Sequence, residues 1–565
     1  MTRRQVVAVA WTAALLALLF AAGRQAAQLA RFSWDQAVGY TSAYLRPLPH
    51  GPSTPPMARR VVLVVVDGLR EDTSRRLPTL NALRARGADL VAVTGEPSLS
   101  YPGWTMILTG APPEISGVVT NAFTGPIRAS NLFSVARAQG MRTALAGSAG
   151  WQNLVGPWVT DGHYVPDPEA YADPARSDAQ DRAIAEAARA LLRSASAPLV
   201  VVHFASVDHM GHAFGAASAQ YGNAALAADA HLASLLAMVD LDEDVVFITA
   251  DHGHTDRGGH AGWEPVVKHV PLVVAGRGVR QRASLTVSLA DVAPTVAAWL
   301  GLPTPTHNTG RVLVEIGNVP WQALAGWARQ LQAFNELYLH RVQPGQAAQA
   351  GPPPVAADDV AAWHRQLTAQ RDAARAAQLR RERLARLPFV LLFAAVPAVL
   401  IAVLGRRASW RAGLAGAAVY LALYAVVYFG IRGHTWSLSV INTEDNIGPF
   451  FRARVVDAVA VALLAAAVAG WRMRERSWAG AVLASAQALL LSAYVIFVQV
   501  LAFYALWDVK FPWYLPDFGW GFKYYLDLLQ LAAIGQPITL IGAPAAALVA
   551  WAVARKVVGQ PPAER

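Results

Sequence analysis

The chain contains no cysteine among its 565 residues. Disulfides, thiolate nucleophiles and Cys-ligated zinc are therefore excluded, and any metal must be held by His, Asp or Glu. Charge is scarce as well: 15% of residues are charged and 54% hydrophobic, too apolar for a wholly soluble protein. There is no Asn-x-Ser/Thr acceptor for glycosylation, which favours a bacterial envelope over an endoplasmic reticulum lumen. The formal charge of +10 would suit nucleic acid, but many arginines flank apolar runs, where they set topology and meet anionic headgroups. Membrane lipid is the expected partner, and nucleic acid is not.

What is present falls into blocks. "RRQVVAVAWTAALLALLFAAG" (3–23) places a basic pair before a long apolar run. It reads as an N-terminal transmembrane anchor over 1–30 rather than a cleaved signal peptide, because further spans follow. Residues 31–59 form a linker that becomes proline-rich in "RPLPHGPSTPPMAR". From 60 to 315 the strand runs "VVLVVV", "PLVVVHF", "DVVFIT" and "VPLVVAG" alternate with helical segments such as "DAQDRAIAEAARALLRSA". That alternation predicts an α/β domain with a mainly parallel sheet flanked by helices. Residues 316–386 read as a helical linker, two amphipathic helices interrupted by "QPGQAAQAGPPPVAADD". Apolar runs at about 387–404, 413–431, 455–470, 479–506 and 528–554 predict a C-terminal transmembrane helix bundle over 387–565.

The connections "GRRASWR" and "WRMRERS" and the tail "ARKVVGQ" are basic and fall on the side of Arg3 and Arg4. By the positive-inside rule the α/β domain then lies outside the cytoplasm, on the plasma (inner) membrane. The loops around 432–454 and 507–527 face the same way, the second rich in interfacial aromatics ("FPWYLPDFGWGFKYY"). One stretch, "RRERLAR" (380–386), opposes this topology.

Chemistry gathers at strand ends. "VVLVVVDG" ends in Asp67, "VVHFASVDHMGH" carries Asp208 and His212, and "VVFITADHGH" carries Asp251 and His252. Ligands in α/β sheets collect just beyond the carboxyl ends of strands. A lone Asp there is usually a turn or cap residue. Asp-His after one buried strand, Asp-x-x-x-His after another and His260 in "GGHAG" are hard to produce by capping alone. Two divalent metals with oxygen and nitrogen ligands fit this inventory. In "SLSYPGWTMILTG" (98–110), Ser100 taken alone reads as a helix N-cap.

The order Asp67, Ser100, Asp208…His212, Asp251-His252, His260 resembles the alkaline phosphatase superfamily, and within it the type I phosphodiesterase/nucleotide pyrophosphatase branch. "PSLSYPGWTMILTGAPPEISGV" is similar to that branch's nucleophile segment, and Asn121 stands where the branch places an Asn on a phosphate oxygen. "HFASVDHMGHAFG", "DHGHTDRGGHAGWEP" and "DVAPTVAAWLGLPTPTHNTG" further resemble the glycosylphosphatidylinositol ethanolamine-phosphate transferases, as does the layout of anchor, external domain and terminal bundle.

The resemblance implies an alkaline-phosphatase-like fold and a ligand set. One metal takes Asp67, Asp251, His252 and the Ser100 oxygen; the other takes Asp208, His212 and His260. Zinc is the expected ion, with manganese or magnesium as alternatives. Ser100 becomes the nucleophile at a helix start, aided by free N–H groups and by metal acidification of its hydroxyl. Of the remaining residues, His209 and His254 flank the ligands, His203 reads as structural, and Asp256, Trp263 and Glu264 are candidates to shape an acceptor pocket.

The expected reaction is phosphoryl transfer on a phosphodiester or phospholipid through phospho-Ser100, with a phosphoethanolamine-like headgroup moved from a lipid donor. Resolution by water instead of an alcohol makes a phosphodiesterase, and no motif decides between them. A sulfatase needs x-Pro-x-Arg after its nucleophile, whereas Ser100-Tyr101-Pro102-Gly103 is followed by Trp104. A non-catalytic scaffold is disfavoured because every expected ligand position is filled.

Overall fold

The computed structural model describes residues 1–170, 172–194, 196–344, 353, 356–404 and 408–558. Most of the expected 343–359 interruption, Gly405, Arg406 and Arg407 of the first basic connection, and the end of the basic tail lie outside these residues.

Eight strands form one sheet: β1 (Arg60–Val66), β2 (Ala88–Val93), β3 (Thr143–Ser148), β4 (Asp161–Val165), β5 (Leu199–Phe204), β6 (Asp244–Thr249), β7 (His269–Gly276) and β8 (Arg282–Ser288). Their spatial order is β4-β3-β5-β1-β6-β7-β2-β8. Every neighbouring pair is parallel except those made by β7, which runs antiparallel to β6 and β2. The aliphatic runs legible in the sequence are β1, β5, β6 and β7. β1, β5 and β6 are buried from end to end, as strands covered on both faces must be. The other four strands carry no such run; "TALAGS" and "DGHYV" give little signal. Because β5, β1 and β6 are adjacent and parallel, the segments bearing Asp208, Asp67 and Asp251 emerge at one edge.

Six helices among the described residues are long and apolar enough to cross a membrane. The first runs from Arg3 to Val38, past the expected end of the anchor. Its Leu19, Ala26 and Ala30 pack in one apolar cluster with Tyr524, Leu528 and Ile534, so the anchor is part of the bundle.

Two expectations are corrected. The single span expected over 528–554 is two helices, Phe518–Ile534 and Pro537–Val558. Pro537 has no N–H to continue the ladder and disfavours helical geometry at Gln536, so the chain breaks there and restarts with proline in its first turn. Conversely, one helix runs unbroken from Val360 to Leu404, through the boundary expected at 386. Its sequence holds no glycine and is rich in Ala, Leu and Arg, all strong helix formers, and it continues through Pro388 and Pro397, each of which gives up one backbone hydrogen bond. Val360, Trp363 and Leu367 join the catalytic-domain core, while Ala374 and Leu379 pack with Tyr44, Phe334 and Trp513.

The "RRERLAR" cluster lies on this helix, and part of its charge is partnered. Arg386 pairs with Glu382 at 3.0 Å and Asp508 at 3.4 Å, and Arg383 Nε donates to the Leu506 carbonyl at 3.0 Å. Part of the cluster thus ties the helix to the segment after Trp507, which removes much of its force as a topology signal.

Candidate active site

Helix Ser100–Thr109 begins at Ser100 itself; the cap position is Leu99, which makes no side-chain cap bond. Taken as a cap, Ser100 is misread. Its Oγ lies 3.4 Å from His252 Nε2 instead. Pro102 falls in the first turn, where a missing N–H costs no helical bond. Gly103 allows a close approach: a Cβ there would come within 2.8 Å of the Asp251 Cβ. The serine-bearing helix thereby presses onto the segment that follows β6.

Asp67, Asp251 and His252 form the first cluster. His252 Nε2 is 3.5 Å from Asp67 Oδ1 and 3.5 Å from Asp251 Oδ2. Both of those carboxylate oxygens are buried without a hydrogen-bond partner. Their sister oxygens are held: Asp67 Oδ2 lies 2.9 Å from His203 Nε2, and Asp251 Oδ1 accepts from the N–H of Gly68 at 3.2 Å and of His252 at 3.0 Å. Burial, reinforced by the charge of neighbouring carboxylates, raises Asp67 well above the usual carboxylate range and pushes Asp251 up to about 7. Two crowded carboxylates with one orphaned oxygen each are the donor set a divalent cation satisfies.

His203, read as structural from its place inside a strand, touches the site directly. It packs against the stacked pair Trp104 and Trp151, with ring centroids 4.6 and 5.5 Å away, and burial lowers its pKa to about 3. A neutral imidazole there donates Nε2–H to Asp67 and fixes that carboxylate's orientation.

The second cluster gathers Asp208, His212 and His260. His212 Nε2 is 3.3 Å from Asp208 Oδ2, and His260 Nε2 is 3.1 Å from His212 Nε2 and 3.7 Å from Asp208 Oδ1. Tautomers follow from the other ring nitrogens. His260 Nδ1 faces the Ser98 carbonyl at 2.8 Å, and His252 Nδ1 faces the Gly253 carbonyl at 3.2 Å. A carbonyl can only accept, so both Nδ1 atoms carry the proton and both Nε2 atoms present a lone pair. Burial holds His252 at about 4 and His260 well below its usual value, so both stay neutral. His254, read as merely flanking, puts Nε2 2.7 Å from Asp208 Oδ1, a hydrogen bond that orients the carboxylate. Burial pushes Asp208 up, but the charge of His212 and hydrogen bonds from His212 and His254 together hold it well below the usual range.

Asn121 Oδ1 accepts from the Tyr101 N–H at 3.0 Å, which places its amide beside Ser100 at the helix start. The remaining candidates stand apart. His209 Nδ1 lies 3.2 Å from Ser177 Oγ, Asp256 pairs with Arg70 at 2.6 Å, and Glu264 accepts from Ser439 at 2.9 Å. Trp263 is exposed. Of these four, only His209 lines the cavity above the site.

That cavity, of about 1040 Å³, extends from Ser100, Asn121, His212 and His260 to Phe503 and Tyr524 of the helical bundle. Its far wall could not be read from sequence, because it joins residues four hundred positions apart. Part of its rim is the segment Leu438–Ile447, between the spans Ser409–Ile431 and Glu444–Arg472.

Residues 61–261 match the type I phosphodiesterase / nucleotide pyrophosphatase family. This interval contains every candidate residue from Asp67 to His260. The chain is 23% identical over 286 residues to the human GPI ethanolamine phosphate transferase 2 catalytic subunit, covering 46% of this chain and 28% of that protein. It is 26% identical over 335 residues to human GPI ethanolamine phosphate transferase 1, covering 49% of this chain and 35% of that protein. The chain thus spans about a third of the length of these curated relatives. Among solved structures, it is similar to the alkaline phosphatase PafA, with 13% identity and a TM-score of 0.39 over 48% of this chain and all of that one.

Proposed function

We propose that the protein is a membrane-bound phosphotransferase that moves a phosphoethanolamine-like headgroup from a phospholipid to an acceptor alcohol through phospho-Ser100. The observation that carries this reading is the continuous cavity from Ser100 to the aromatic side chains of the apolar helices. A soluble diester would need no such wall, whereas a lipid needs its headgroup at the serine and its glycerol end among apolar side chains. The phosphodiesterase family match and the transferase relatives support the same class of chemistry.

The donor set fits two divalent ions: Asp67, Asp251 and His252, with Ser100 Oγ beside His252, for one, and Asp208, His212 and His260 for the other. At the second, His254 also points Nε2 at Asp208 and joins His252 and His260 as a candidate donor. Zinc suits this mixture of carboxylates and imidazoles. When bound, such ions supply Lewis-acid stabilisation of phosphoryl charge and ease ionisation of the Ser100 hydroxyl. The chain's own groups do the rest. Ser100 Oγ attacks phosphorus, the P–O bond to the diacylglycerol breaks, and the departing oxygen takes up a proton. The acceptor hydroxyl then attacks the phosphoserine, loses its proton, and regenerates Ser100. The Asn121 amide, held beside Ser100 by the Tyr101 N–H, faces the non-bridging oxygens as charge moves.

The test uses the full chain in lipid nanodiscs containing isotopically labelled phosphatidylethanolamine and a lipid-linked glycan acceptor. Mass spectrometry should show diacylglycerol and a phosphoethanolamine-modified acceptor in equal amounts. Free phosphoethanolamine as the only headgroup product would make the protein a hydrolase.

The same reading places the α/β domain on the extracytoplasmic side of the plasma membrane. The absence of cysteine makes the check clean, since one introduced thiol is the only thiol. A membrane-impermeant maleimide should label Lys510→Cys in intact cells and Glu475→Cys only after permeabilisation. The reverse pattern overturns the orientation.

A further inference from the structure

We propose that Asn442, which lies in the bundle's loop rather than in the catalytic domain, is a positioning residue that sets the His212 imidazole in its metal-binding tautomer. The inference rests on the two-ion reading of the site but not on the identity of the substrate.

Three imidazoles converge on the site with Nε2 inward. For His252 and His260 the opposite nitrogen is fixed by backbone carbonyls of the catalytic domain itself. His212 is fixed differently. Its Nδ1 lies 3.1 Å from Asn442 Oδ1, while Asn442 Nδ2 donates to the His212 carbonyl at 2.8 Å. The second bond decides the first: a carbonyl accepts only from the NH₂ end, so the amide's oxygen is the atom facing the ring. An oxygen there requires a proton on Nδ1. Giving up the Nε2 proton that otherwise meets Asp208 then leaves the lone pair on Nε2, which faces Asp208 and His260. Outer partners of this kind orient metal-binding imidazoles and typically contribute 10–100-fold in affinity.

The backbone at Asn442 shows what holding this position requires. Its φ and ψ are 67° and −66°, and the Thr443 N–H bonds to the Ile441 carbonyl at 3.0 Å, a strained γ-turn. The turn survives because the surrounding loop is tightly docked. The Gly262 N–H donates to Ser439 Oγ at 3.1 Å, and Ser439 Oγ donates to Glu264 at 2.9 Å. Gly259 is close enough that a Cβ on it would meet the Ser439 carbonyl at 2.0 Å. The second metal site is therefore completed by a residue delivered from between two apolar helices, and its geometry depends on how the bundle is seated.

The experiment titrates chelator-stripped full-length protein in nanodiscs with Zn²⁺ against a chromophoric chelator, and repeats it with Co²⁺ to read the visible absorption of each site. Asn442→Gly deletes the amide while tolerating the positive φ. It should weaken one equivalent of metal about 10–100-fold, leave the other unchanged, and leave thermal stability of the metal-free chain unchanged or higher. Asn442→Asp keeps an acceptor for Nδ1–H and should recover most of the lost affinity. Ser439→Ala loosens the loop's other anchor but keeps the amide, and should weaken the same equivalent clearly less than Asn442→Gly does. The proposal is overturned if Asn442→Gly binds both ions with unchanged affinity, if Asn442→Asp recovers nothing, or if Ser439→Ala loses as much as Asn442→Gly. Because metal binding is read without turnover, a protein that binds two ions but transfers no headgroup would refute the proposed function and leave this inference standing.

Discussion

Ser100→Ala should lower the rate on any phosphodiester substrate by about a thousandfold or more while leaving the fold and the other three ligands of the first ion in place. The expectation is sharp because Ser100 occupies the first helical position without acting as a cap, so its hydroxyl makes no helix-stabilising bond for alanine to lose. The hydroxyl's recorded neighbour is His252 Nε2, at 3.4 Å. Its removal leaves the Tyr101 N–H to Asn121 bond and both carboxylate clusters in place. The defect therefore falls chiefly on the chemical step, with some loss of affinity for the first ion. Acid quenching of the unaltered enzyme during turnover, followed by peptide mass spectrometry, should find phosphate or a phospho-headgroup on Ser100. The alanine variant should show none there. Ser100→Thr keeps a hydroxyl at the same position and should retain activity. Activity of Ser100→Ala within about tenfold of the unaltered chain would exclude a covalent route through this residue.

That the candidate ligands come together is legible in the sequence because parallel α/β topology converts sequence position into spatial position. Buried aliphatic runs marked β1, β5 and β6, and the residues just beyond such runs must open at one edge of the sheet. His203 was misjudged because it lies inside its strand, and the strand pattern says nothing about which neighbour an inward ring will meet. It meets Asp67 across the β1–β5 pairing. His254 reads from sequence either as a substrate contact or as a satisfied outer partner of the ligands, and spacing alone cannot show that its Nε2 falls on Asp208. Asn442 carried no signal at all. "SLSVINTED" has neither charge pattern nor apolar periodicity that points to a metal centre, and its role depends on contact across 230 residues. The same limit hid the break at Pro537. Its signal was present, but apolarity continuing on both sides made two helices look like one span.

Removing metal, or the residues that hold it, should be as damaging as removing the nucleophile. Asp251→Ala combined with His252→Ala strips the first cluster to Asp67 and Ser100, too few ligands to retain an ion at ordinary concentrations. Loss of several kcal/mol of charge stabilisation at the phosphoryl group corresponds to about a thousandfold in rate. Excess chelator should do the same to the unaltered chain, reversibly, with activity returning on addition of zinc or manganese. The carboxylates give this prediction a second readout. Without cations, burial pushes the Asp251 pKa up to about 7 from an unfolded value near 4. Between those limits the folded chain holds a proton that the unfolded chain has released, so stability falls as pH rises. Relative to Asp251→Asn, the chelated protein should therefore lose stability from about pH 4 to about pH 7; the comparison cancels the buried neutral histidines, whose lowered pKa values act in the opposite sense. Metal reverses that slope by favouring the ionised carboxylates. The double variant should show little rescue by added metal. Full activity in excess chelator, or a melting temperature indifferent to metal at neutral pH, would show that the two orphaned oxygens of Asp67 and Asp251 are not ligands.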